Sequence, residues 1–418
     1  MRVLFALSSW STHWYPLAPL AWTMQSLGHE VQVLCSPVQG DVVARSGALP
    51  VPVLPDMNLR AFARMHHHMM AKEGHWPFSD LPPHPTTGQP VEDIEDFDPL
   101  EWYFGQRERV VAAATVSTDA AAAYARRWHP DLVVHDQLSI EGPLVGRVLD
   151  VPAVLHLWGP SGPDDKVSRI FGRMLPVDHS NAFARFGVGE MTADIYRYVI
   201  DPCPPSMAPP LQQERLRVRY QAYNGCAQLT TELPAPLPGR PRVVLIWGSE
   251  VSSLFGPASF TVPKIVDALA GTGAEVVLAV GGPDRQRIGP LPSSTRLVDY
   301  VPLRTLLSGA SAIIHHGGAG CVMTAVAAGV PQLVLYNGFD QEIMSGRLAR
   351  TEAGIAVANA TATVESIRSG YAALMGDPAA TSAAVRLAAE LETNPSHFEL
   401  ASTLEGIAAG GVEKCVAG

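Results

Sequence analysis

The sequence predicts two α/β domains, each built around a doubly wound parallel sheet. The chain has 418 residues, and at about 150 residues per domain this length leaves room for two or three domains. Strand-like and helix-like segments alternate along most of it, a pattern that favours parallel sheets. The stretch Thr231–Arg240 interrupts the alternation, and we interpret it as a linker because its three prolines cannot sustain a helix or a central strand.

The first half of the chain begins with a strand, a helix and a second strand. These are Arg2–Leu7, Pro16–Leu27 and Glu30–Leu34, and Gly28 is placed to end the helix. Later segments of this half are the strands Pro50–Leu54, Leu132–His135 and Ala153–Leu157 and the helices Arg107–Arg127 and Ser139–Leu149. Pro55–Gln106 and Trp158–Pro210 show no regular period, so we expect long loops that either bind a ligand or form plain mobile surface.

The second half repeats the alternation. Its predicted strands are Arg242–Trp247, Glu275–Val280, Ser311–Ile314 and Gln332–Tyr336, and its predicted helices are Thr261–Ala270, Cys321–Ala328, Gln341–Thr351 and Phe398–Ala409. We therefore place a first domain at residues 1–230, the linker at 231–240, a second domain at 241–396, and a terminal helix at 397–418 as a candidate to pack back on the first domain. Because open α/β sheets bind ligands beyond the carboxyl ends of their strands, we expect a cleft between the two domains.

Composition argues against several classes of protein. The formal net charge of −10 disfavours a general nucleic-acid binder. The early apolar run Val3–Leu7 is too short for a signal segment, and no run approaches the roughly 20 apolar residues of a membrane span, so we expect a cytoplasmic protein without a membrane partner. The five cysteines form no Cys-x-x-Cys pair, which indicates neither a disulfide framework nor a zinc ribbon.

The strongest functional pattern is a glycine-rich turn between a strand and a helix, His315-His316-Gly317-Gly318-Ala319-Gly320. Glycines allow close approach of the backbone to a phosphate, a helix N-terminus presents unpaired N–H groups, and His316 adds a donor. A nucleoside diphosphate suits such a turn, and the sequence lacks the Walker A pattern of a P-loop. The alternative is a glycine turn beside a histidine that is satisfied by the protein itself.

Polar residues also follow the strand Gln332–Tyr336. Asp340 and Gln341 lie at the start of the next predicted helix. A carboxylate and an amide together offer acceptors and donors to the hydroxyl groups of a sugar. The alternative for Asp340 is a helix N-cap.

In the first half, His13 follows the first strand, and a histidine can accept a proton near neutral pH. Asp136 follows the strand Leu132–His135 and is expected at the same sheet edge, where its carboxylate would fix the tautomer of the imidazole. The alternative for Asp136 is capping of the helix Ser139–Leu149.

These motifs together carry a resemblance to a known family. His315–Gly320, Gly329–Gln332 and Asp340-Gln341 resemble the donor-binding signature of nucleotide-sugar-dependent glycosyltransferases of the GT-B architecture, in which two Rossmann-like domains face each other across a cleft. The chain is most similar to the bacterial branch that glycosylates antibiotics and other secondary metabolites. Thr12-His13-x-x-Pro16 resembles the Gly-His-x-x-Pro segment of that branch, with threonine in place of the glycine.

The resemblance implies roles for further residues. The diphosphate would contact Ser249, His316, Gly317, Gly318, Ala319, Gly320 and Cys321, the nucleobase would contact Tyr300 and Val301, and the donor sugar would contact Asp340 and Gln341. Tyr300 stands where tryptophan is usual, and Cys321 replaces a hydroxyl residue, although a thiol is a poor donor. Seven of the eight tryptophans precede the linker, so we expect an apolar acceptor in the first domain, against Trp10, Trp14, Trp76 and Met69.

Two patterns suggest a metal site, and we expect neither to be one. Asp96-Phe97-Asp98 resembles the Asp-x-Asp motif of metal-dependent glycosyltransferases, but no strand precedes it. His66-His67-His68 with His75 lacks a completing carboxylate or thiolate, and consecutive histidines are poor joint ligands. We expect this histidine segment to face the acceptor or to be a mobile loop. We expect no metal and no cofactor beyond the nucleotide-sugar co-substrate.

The residues and the resemblance together predict an inverting glycosyltransferase. It would move a sugar from a dTDP or UDP donor to a hydroxyl group of a hydrophobic aglycone, with His13 as general base and Asp136 as its partner. One alternative is a nucleotide-sugar epimerase on the same fold, which would convert the donor without an acceptor. Another is a non-catalytic partner of a second enzyme, which the departures at Thr12, Tyr300 and Cys321 would fit. A homodimer is a further expectation.

Overall fold

The computed structural model describes residues 1–168, 172–173, 175–226, 235–299 and 301–410, and the chain divides into two compact units. The first unit comprises Met1–Asn58, Gln106–Cys226 and the chain from Leu391 onward. The second comprises Leu59–Gly105 and Ala227–Glu390. Each unit is an α/β structure around a parallel sheet, which confirms the fold class predicted from the sequence.

The first half of the chain supplies the sheet of the first unit. Its strands are β1 (Arg2–Ala6), β2 (Glu30–Leu34), β3 (Leu49–Val51), β4 (Leu132–His135), β5 (Ala153–His156), β6 (Lys166–Ser168), β7 (Gly172–Arg173), β8 (Tyr198–Asp201) and β9 (Glu214–Arg217). Its helices are α1 (Ala18–Ser26), α2 (Pro37–Arg45), α3 (Leu59–Lys72), α4 (Pro99–Trp128), α5 (Glu141–Leu149) and α6 (Ala182–Arg185). The parallel sheet has the order β3-β2-β1-β4-β5-β8-β9, and β6 pairs with β7 as a short antiparallel hairpin.

The second half supplies a sheet of the same kind. Its strands are β10 (Arg242–Trp247), β11 (Glu275–Val280), β12 (Thr295–Val298), β13 (Ala312–His315), β14 (Gln332–Tyr336) and β15 (Gly354–Ala358). Its helices are α7 (Ser249–Phe255), α8 (Val262–Leu269), α9 (Leu303–Leu306), α10 (Ala319–Ala327), α11 (Phe339–Arg350), α12 (Val364–Gly376), α13 (Pro378–Glu392) and α14 (His397–Ala409). These strands pair in parallel in the order β12-β11-β10-β13-β14-β15.

Central strands of both sheets are apolar on both faces because helices cover both faces. Val3, Leu4, Phe5 and Ala6 of β1 are fully buried, and Phe5 pairs with Val33 of β2 and Val134 of β4. Continuous apolar runs of this kind are typical of buried parallel strands. The helix α14 contributes Leu400 and Leu404 to the core of the first unit.

Residues 59–105 lie in the second unit, whereas the sequence analysis assigned them to the first domain. The expectation of irregular structure there is wrong for α3, which is tied to α7 by an ion pair between Arg60 and Glu250 and by a hydrogen bond from Arg64 Nε to the Ser253 carbonyl (2.7 Å). Phe78 is buried in the core of the second unit. The segment therefore adds a helix and core side chains to the nucleotide-binding half of the sequence.

A glycine in α5 allows that helix to approach β4 closely. A Cβ atom at Gly142 would lie 2.4 Å from Cβ of His135, whereas a Cβ at Gly406 in α14 would meet nothing within 4 Å. We expect G142A to destabilise the first unit by about 1–3 kcal/mol through overpacking. The matched variant G406A should be neutral or stabilising by up to about 1 kcal/mol, because alanine is the better helix former. Scanning calorimetry measures both, and a G142A protein that melts as late as the parent would contradict this packing.

Candidate active site

The segment after β1 carries His13. The strand ends at Ala6, the backbone continues through the buried Ser8, and Ser11–Trp14 form one turn of 3₁₀-helix. His13 lies in this turn and its side chain is 13% exposed. The strand-to-helix placement predicted for His13 is thus the one observed.

Asp136 and Ser8 hold one edge of the His13 imidazole. His13 Nδ1 lies 3.2 Å from Asp136 Oδ1 and 2.9 Å from Ser8 Oγ. Asp136 is fully buried, and it accepts hydrogen bonds from the backbone N–H groups of Ser8 (2.6 Å) and Leu138 (2.8 Å). The contact with Leu138 is a local turn after β4, so Asp136 both orders its loop and contacts the histidine.

These contacts fix the charge of Asp136 and the tautomer of His13. Burial alone would raise the pKa of the Asp136 carboxyl, but the hydrogen bond and charge of His13, with the N–H groups of Ser8 and Leu138, lower it below its ordinary value. An ionised carboxylate only accepts hydrogen bonds, so Nδ1 of His13 is the donor. The second nitrogen, Nε2, has no hydrogen-bond partner in the part of the chain that the structure describes, and it is left as a proton acceptor.

Two indole rings lie nearly parallel to this imidazole. The ring of Trp158 is 4.4 Å away with an interplanar angle of 23°, and that of Trp10 is 6.1 Å away at 22°. Trp10 is partly exposed and remains a candidate acceptor contact. The expectation for Trp14 is corrected, because its indole is fully buried in the core against Phe5 and donates to Ser46 Oγ (2.9 Å).

In the second unit, the predicted glycine-rich turn joins β13 to α10. His316 follows β13, and its Nδ1 accepts a hydrogen bond from the backbone N–H of Gly248, which follows β10 (3.3 Å). Burial lowers the pKa of His316 to about 4, so the ring is neutral and carries its proton on Nε2. A Cβ at Gly318 would lie 2.8 Å from that Nε2, and one at Gly248 would lie 3.0 Å from Cε1. Both glycines are therefore required by close contact with the imidazole.

The backbone N–H groups of this turn are not equally available. Gly317 (φ +92°) donates to Nδ1 of His315 (3.1 Å), and Cys321 donates to the Gly318 carbonyl (2.9 Å). The expectation that these two amides bind a diphosphate is therefore corrected. The N–H groups of Gly318 and Ala319 have no protein acceptor within the described part of the chain, and they stand at the positive end of α10. Burial raises the pKa of the Cys321 thiol to about 12, so it is uncharged.

The neighbouring His315 has a structural role. It is fully buried, burial lowers its pKa to about 3, and its Nε2–H donates to Gln332 Oε1 (2.9 Å). Gln332 Nε2 in turn donates to the Val322 carbonyl of α10 (3.2 Å). The glutamine that the sequence analysis included in the donor-binding signature thus supports the turn from behind.

The start of α11 brings Gln341 next to the glycine turn. Cβ of Gln341 is 3.3 Å from the position that a Cβ at Gly317 would occupy. Gln341 Oε1 accepts from the backbone N–H (3.1 Å) and the side-chain amide (3.2 Å) of Asn337. Asn337 Oδ1 accepts from Nδ2 of the buried Asn359 (2.8 Å). Both asparagines directly follow strands, β14 and β15, a signal that could have identified them in the sequence. The carboxylate of Asp340 is partly exposed at the same helix start.

An aromatic cluster holds the residue before Asp340. Phe339 has φ +53°, a strained value for a bulky residue, and its ring lies 5.1 Å from His66, 5.2 Å from His67 and 6.4 Å from Phe255. His67 Nδ1 donates to the Leu254 carbonyl (3.0 Å), and burial lowers its pKa to about 3. The histidine run is thus a buried part of α3 rather than a mobile loop.

Two predicted acceptor contacts lie in this same unit. Trp76 packs against His67 (4.9 Å) and Phe255 (6.1 Å), and its Nε1 donates to the Asp80 carbonyl (2.6 Å). Met69 is a partly exposed residue of α3. The expectation that both belong to the first domain is corrected, because α3 and the segment after it belong to the second unit.

The remaining predicted residues are placed in part. Val301 is partly buried against Leu303 and its neighbours at the start of α9. Tyr300 and the side chain of Ser249 lie outside the described residues, although the backbone of Ser249 begins α7. Gly320 lies in the first turn of α10.

Two kinds of feature are missing from the part of the chain that the structure describes. No three His, Cys, Asp or Glu side chains come together as a metal site there, and Asp98 instead caps α4 by accepting from the N–H groups of Leu100 and Glu101 (2.8 and 2.9 Å). Nor does any described helix combine the length and the apolar character needed to cross a membrane.

Comparison with known proteins gives the same assignment for both halves of the chain. The N-terminal domain of the family described as erythromycin biosynthesis protein CIII-like matches residues 22–248, and its C-terminal domain matches residues 263–407. The 10-deoxymethynolide desosaminyltransferase of Streptomyces venezuelae is 31% identical over 98% of this chain and 97% of its own length. Tylactone mycaminosyltransferase of Streptomyces fradiae is 27% identical over 98% of this chain and 93% of its own length.

Solved structures confirm the fold that the resemblance predicts. The glycosyltransferase VinC in complex with dTDP superposes with a TM-score of 0.73 at 28% identity, over 98% of this chain and 100% of VinC. The spinosyn rhamnosyltransferase SpnG complexed with spinosyn aglycone gives a TM-score of 0.73 at 26% identity, over 97% of this chain and 100% of SpnG. These GT-B enzymes and the matches to both family domains lead to one conclusion: the chain belongs to the erythromycin biosynthesis protein CIII-like family and is a glycosyltransferase.

Proposed function

We propose that this glycosyltransferase transfers a deoxysugar from a thymidine diphosphate donor to a hydroxyl group of a macrolide-type or anthracycline-type aglycone, with inversion at the anomeric carbon. The observation that carries the proposal is the environment of His13, in which Asp136 and Ser8 occupy Nδ1 and leave Nε2 as the proton acceptor. This is the state that a general base needs before the reaction starts.

The acceptor half of the reaction uses His13 and Asp136. Nε2 of His13 takes the proton of the acceptor hydroxyl as its oxygen attacks the anomeric carbon. The imidazolium that forms is stabilised by the carboxylate of Asp136 (3.2 Å), which stays ionised because its pKa is lowered. General base catalysis of this kind contributes about 10²–10⁴ in rate.

The donor half uses the turn before α10. Nε2–H of His316 and the N–H groups of Gly318 and Ala319 donate to the diphosphate, and their hydrogen bonds strengthen as negative charge grows on the leaving group. Gln341 has its Oε1 engaged by Asn337, so its Nε2 donates to a hydroxyl of the sugar. Asp340 at the same helix start supplies an acceptor for that sugar.

The class of donor and acceptor follows from the relatives. VinC was solved with dTDP, which favours a thymidine over a uridine nucleotide. Among the named relatives, the acceptors include 10-deoxymethynolide and tylactone, and the aklavinone 7-β-L-rhodosaminyltransferase of Streptomyces galilaeus is 28% identical over the full length of this chain and of its own. A panel of macrolactone and anthracyclinone acceptors with dTDP-deoxysugars is therefore the first substrate screen.

Both alternatives from the sequence analysis have direct tests. An epimerase would change the sugar of the donor in the absence of any acceptor, whereas a transferase needs the acceptor for turnover. A non-catalytic partner would bind dTDP without transferring the sugar. The intact contacts of His13 with Asp136 and Ser8 favour a catalytic protein over a scaffold.

We expect H13A to lower kcat/KM for the best donor and acceptor pair of the panel by about 10²–10⁴, because the general base is lost. The product formed by the wild-type enzyme should show inverted anomeric configuration by NMR. Calorimetric affinity for dTDP is the control, and it should stay unchanged in H13A. Transfer by H13A at the wild-type rate, or a product with retained configuration, would contradict this mechanism.

We expect H316A to weaken dTDP binding by about 10- to 100-fold, the effect of losing one hydrogen bond to a charged group. H316Q should recover part of the affinity, because its Nε2 amide can replace the imidazole Nε2–H as donor. Isothermal titration calorimetry with dTDP measures both variants. Wild-type affinity in H316A would rule out this contact.

A further inference from the structure

Trp158 is the closest ring neighbour of the catalytic histidine, and its place in the fold was not anticipated as functional. It follows β5 by two residues, and its indole plane lies 4.4 Å from the imidazole of His13 at 23°. Its side chain is 6% exposed. The stack covers one face of the ring whose edge is fixed by Asp136 and Ser8.

The indole of Trp158 has no other polar task in the described chain. Its Nε1 is buried without a hydrogen-bond partner among the described residues. A buried donor left unpaired costs stability, and for this reason buried tryptophans usually find an acceptor. The position therefore retains a costly side chain where a phenylalanine or leucine would bury its apolar surface without that cost.

A stacked indole acts on a histidine that gains a proton. The face of an aromatic ring attracts a cation, tryptophan does so most strongly, and the effect grows where water is excluded. During transfer His13 changes from neutral imidazole to imidazolium. The ring of Trp158 then faces a cation that it did not face in the ground state, which is the condition for a contribution to rate.

We propose that Trp158 is a positioning residue for the catalytic base, holding the plane of the His13 imidazole by stacking and stabilising the imidazolium as it forms. This inference rests on the proposed role of His13 as base. It adds a third contact to the histidine, through the face of the ring rather than through its edge.

The other titratable groups around this histidine are few in the described part of the first unit. Asp136, after β4, contacts it directly. His135 and Tyr196 lie near Asp136, and burial keeps both neutral, since it lowers the pKa of His135 to about 4 and raises that of Tyr196 well above its ordinary value. From the segment after β1 the neighbours are Ser8 and Trp10, which do not titrate, so the remaining charge at the ring is that of Asp136.

The first test compares W158L and W158F by the pH dependence of kcat/KM. W158L keeps apolar bulk but removes the aromatic face, whereas W158F keeps a smaller face and gives up an N–H that has no partner. We expect W158L to lower kcat/KM near neutral pH by about 3- to 30-fold and to move the acid limb of the profile to lower pH by about 0.5–1.5 units. W158F should lie between W158L and the parent. W22L, which changes a tryptophan of the same unit that packs on Tyr223, should leave the limb unmoved.

The second test needs no turnover. A proton above an indole face is shielded, so the Hε1 resonance of His13, assigned with H13Q, should lie upfield in the parent protein and return toward the ordinary histidine position in W158L. An acid limb and an Hε1 resonance that are both unchanged in W158L would overturn the inference while leaving the proposed function intact. Wild-type transfer by H13A would instead overturn the base itself. If W158L does not fold, W158F carries the same comparison at smaller amplitude.

Discussion

Parallel strand pairing brings the carboxyl ends of neighbouring strands to one edge of a sheet, and the site residues of both units depend on that edge. In the first unit, Ser8, Asp136 and Trp158 follow β1, β4 and β5 and all contact His13 or its partners. In the second unit, the residues that follow strands β10, β13, β14 and β15 are Gly248, His316, Asn337 and Asn359. Strands that are adjacent in the sheet but distant in the chain thus supply the groups that meet at each site.

Two imidazoles at these edges are set to opposite tasks by what touches Nδ1. In His13, Nδ1 donates toward the carboxylate of Asp136, so Nε2 is free to accept a proton. In His316, Nδ1 accepts from the Gly248 backbone, so Nε2 carries a hydrogen to donate. Burial keeps His316 neutral, and it can serve as a donor without carrying a charge until a phosphate arrives. The backbone of one strand end therefore decides the chemistry of a side chain on the next.

The sequence was sufficient for the alternation of strands and helices, the glycine turn at His316, and the pairing of His13 with Asp136. It was not sufficient where a role depends on contacts between distant segments. Nothing local distinguishes the buried Trp14 from the partly exposed Trp10, because burial of Trp14 follows from its packing on Phe5. Likewise, the loss of the Gly317 amide to Nδ1 of His315 depends on the conformation of the turn. The helix α3 was missed because its apolar face is made of histidines and an arginine that find partners on α7.

The grouping of residues 59–105 with the second unit changes how the protein divides into exchangeable parts. A chimera spliced at the proline-rich stretch would join a foreign donor half to this acceptor half, but it would separate Phe78 and α3 from the core and from the helix against which they pack. The foreign half would arrive without its own counterpart of this segment. Recombination that exchanges residues 59–105 together with the C-terminal half preserves these contacts, so the natural module for altering sugar choice is discontinuous in sequence.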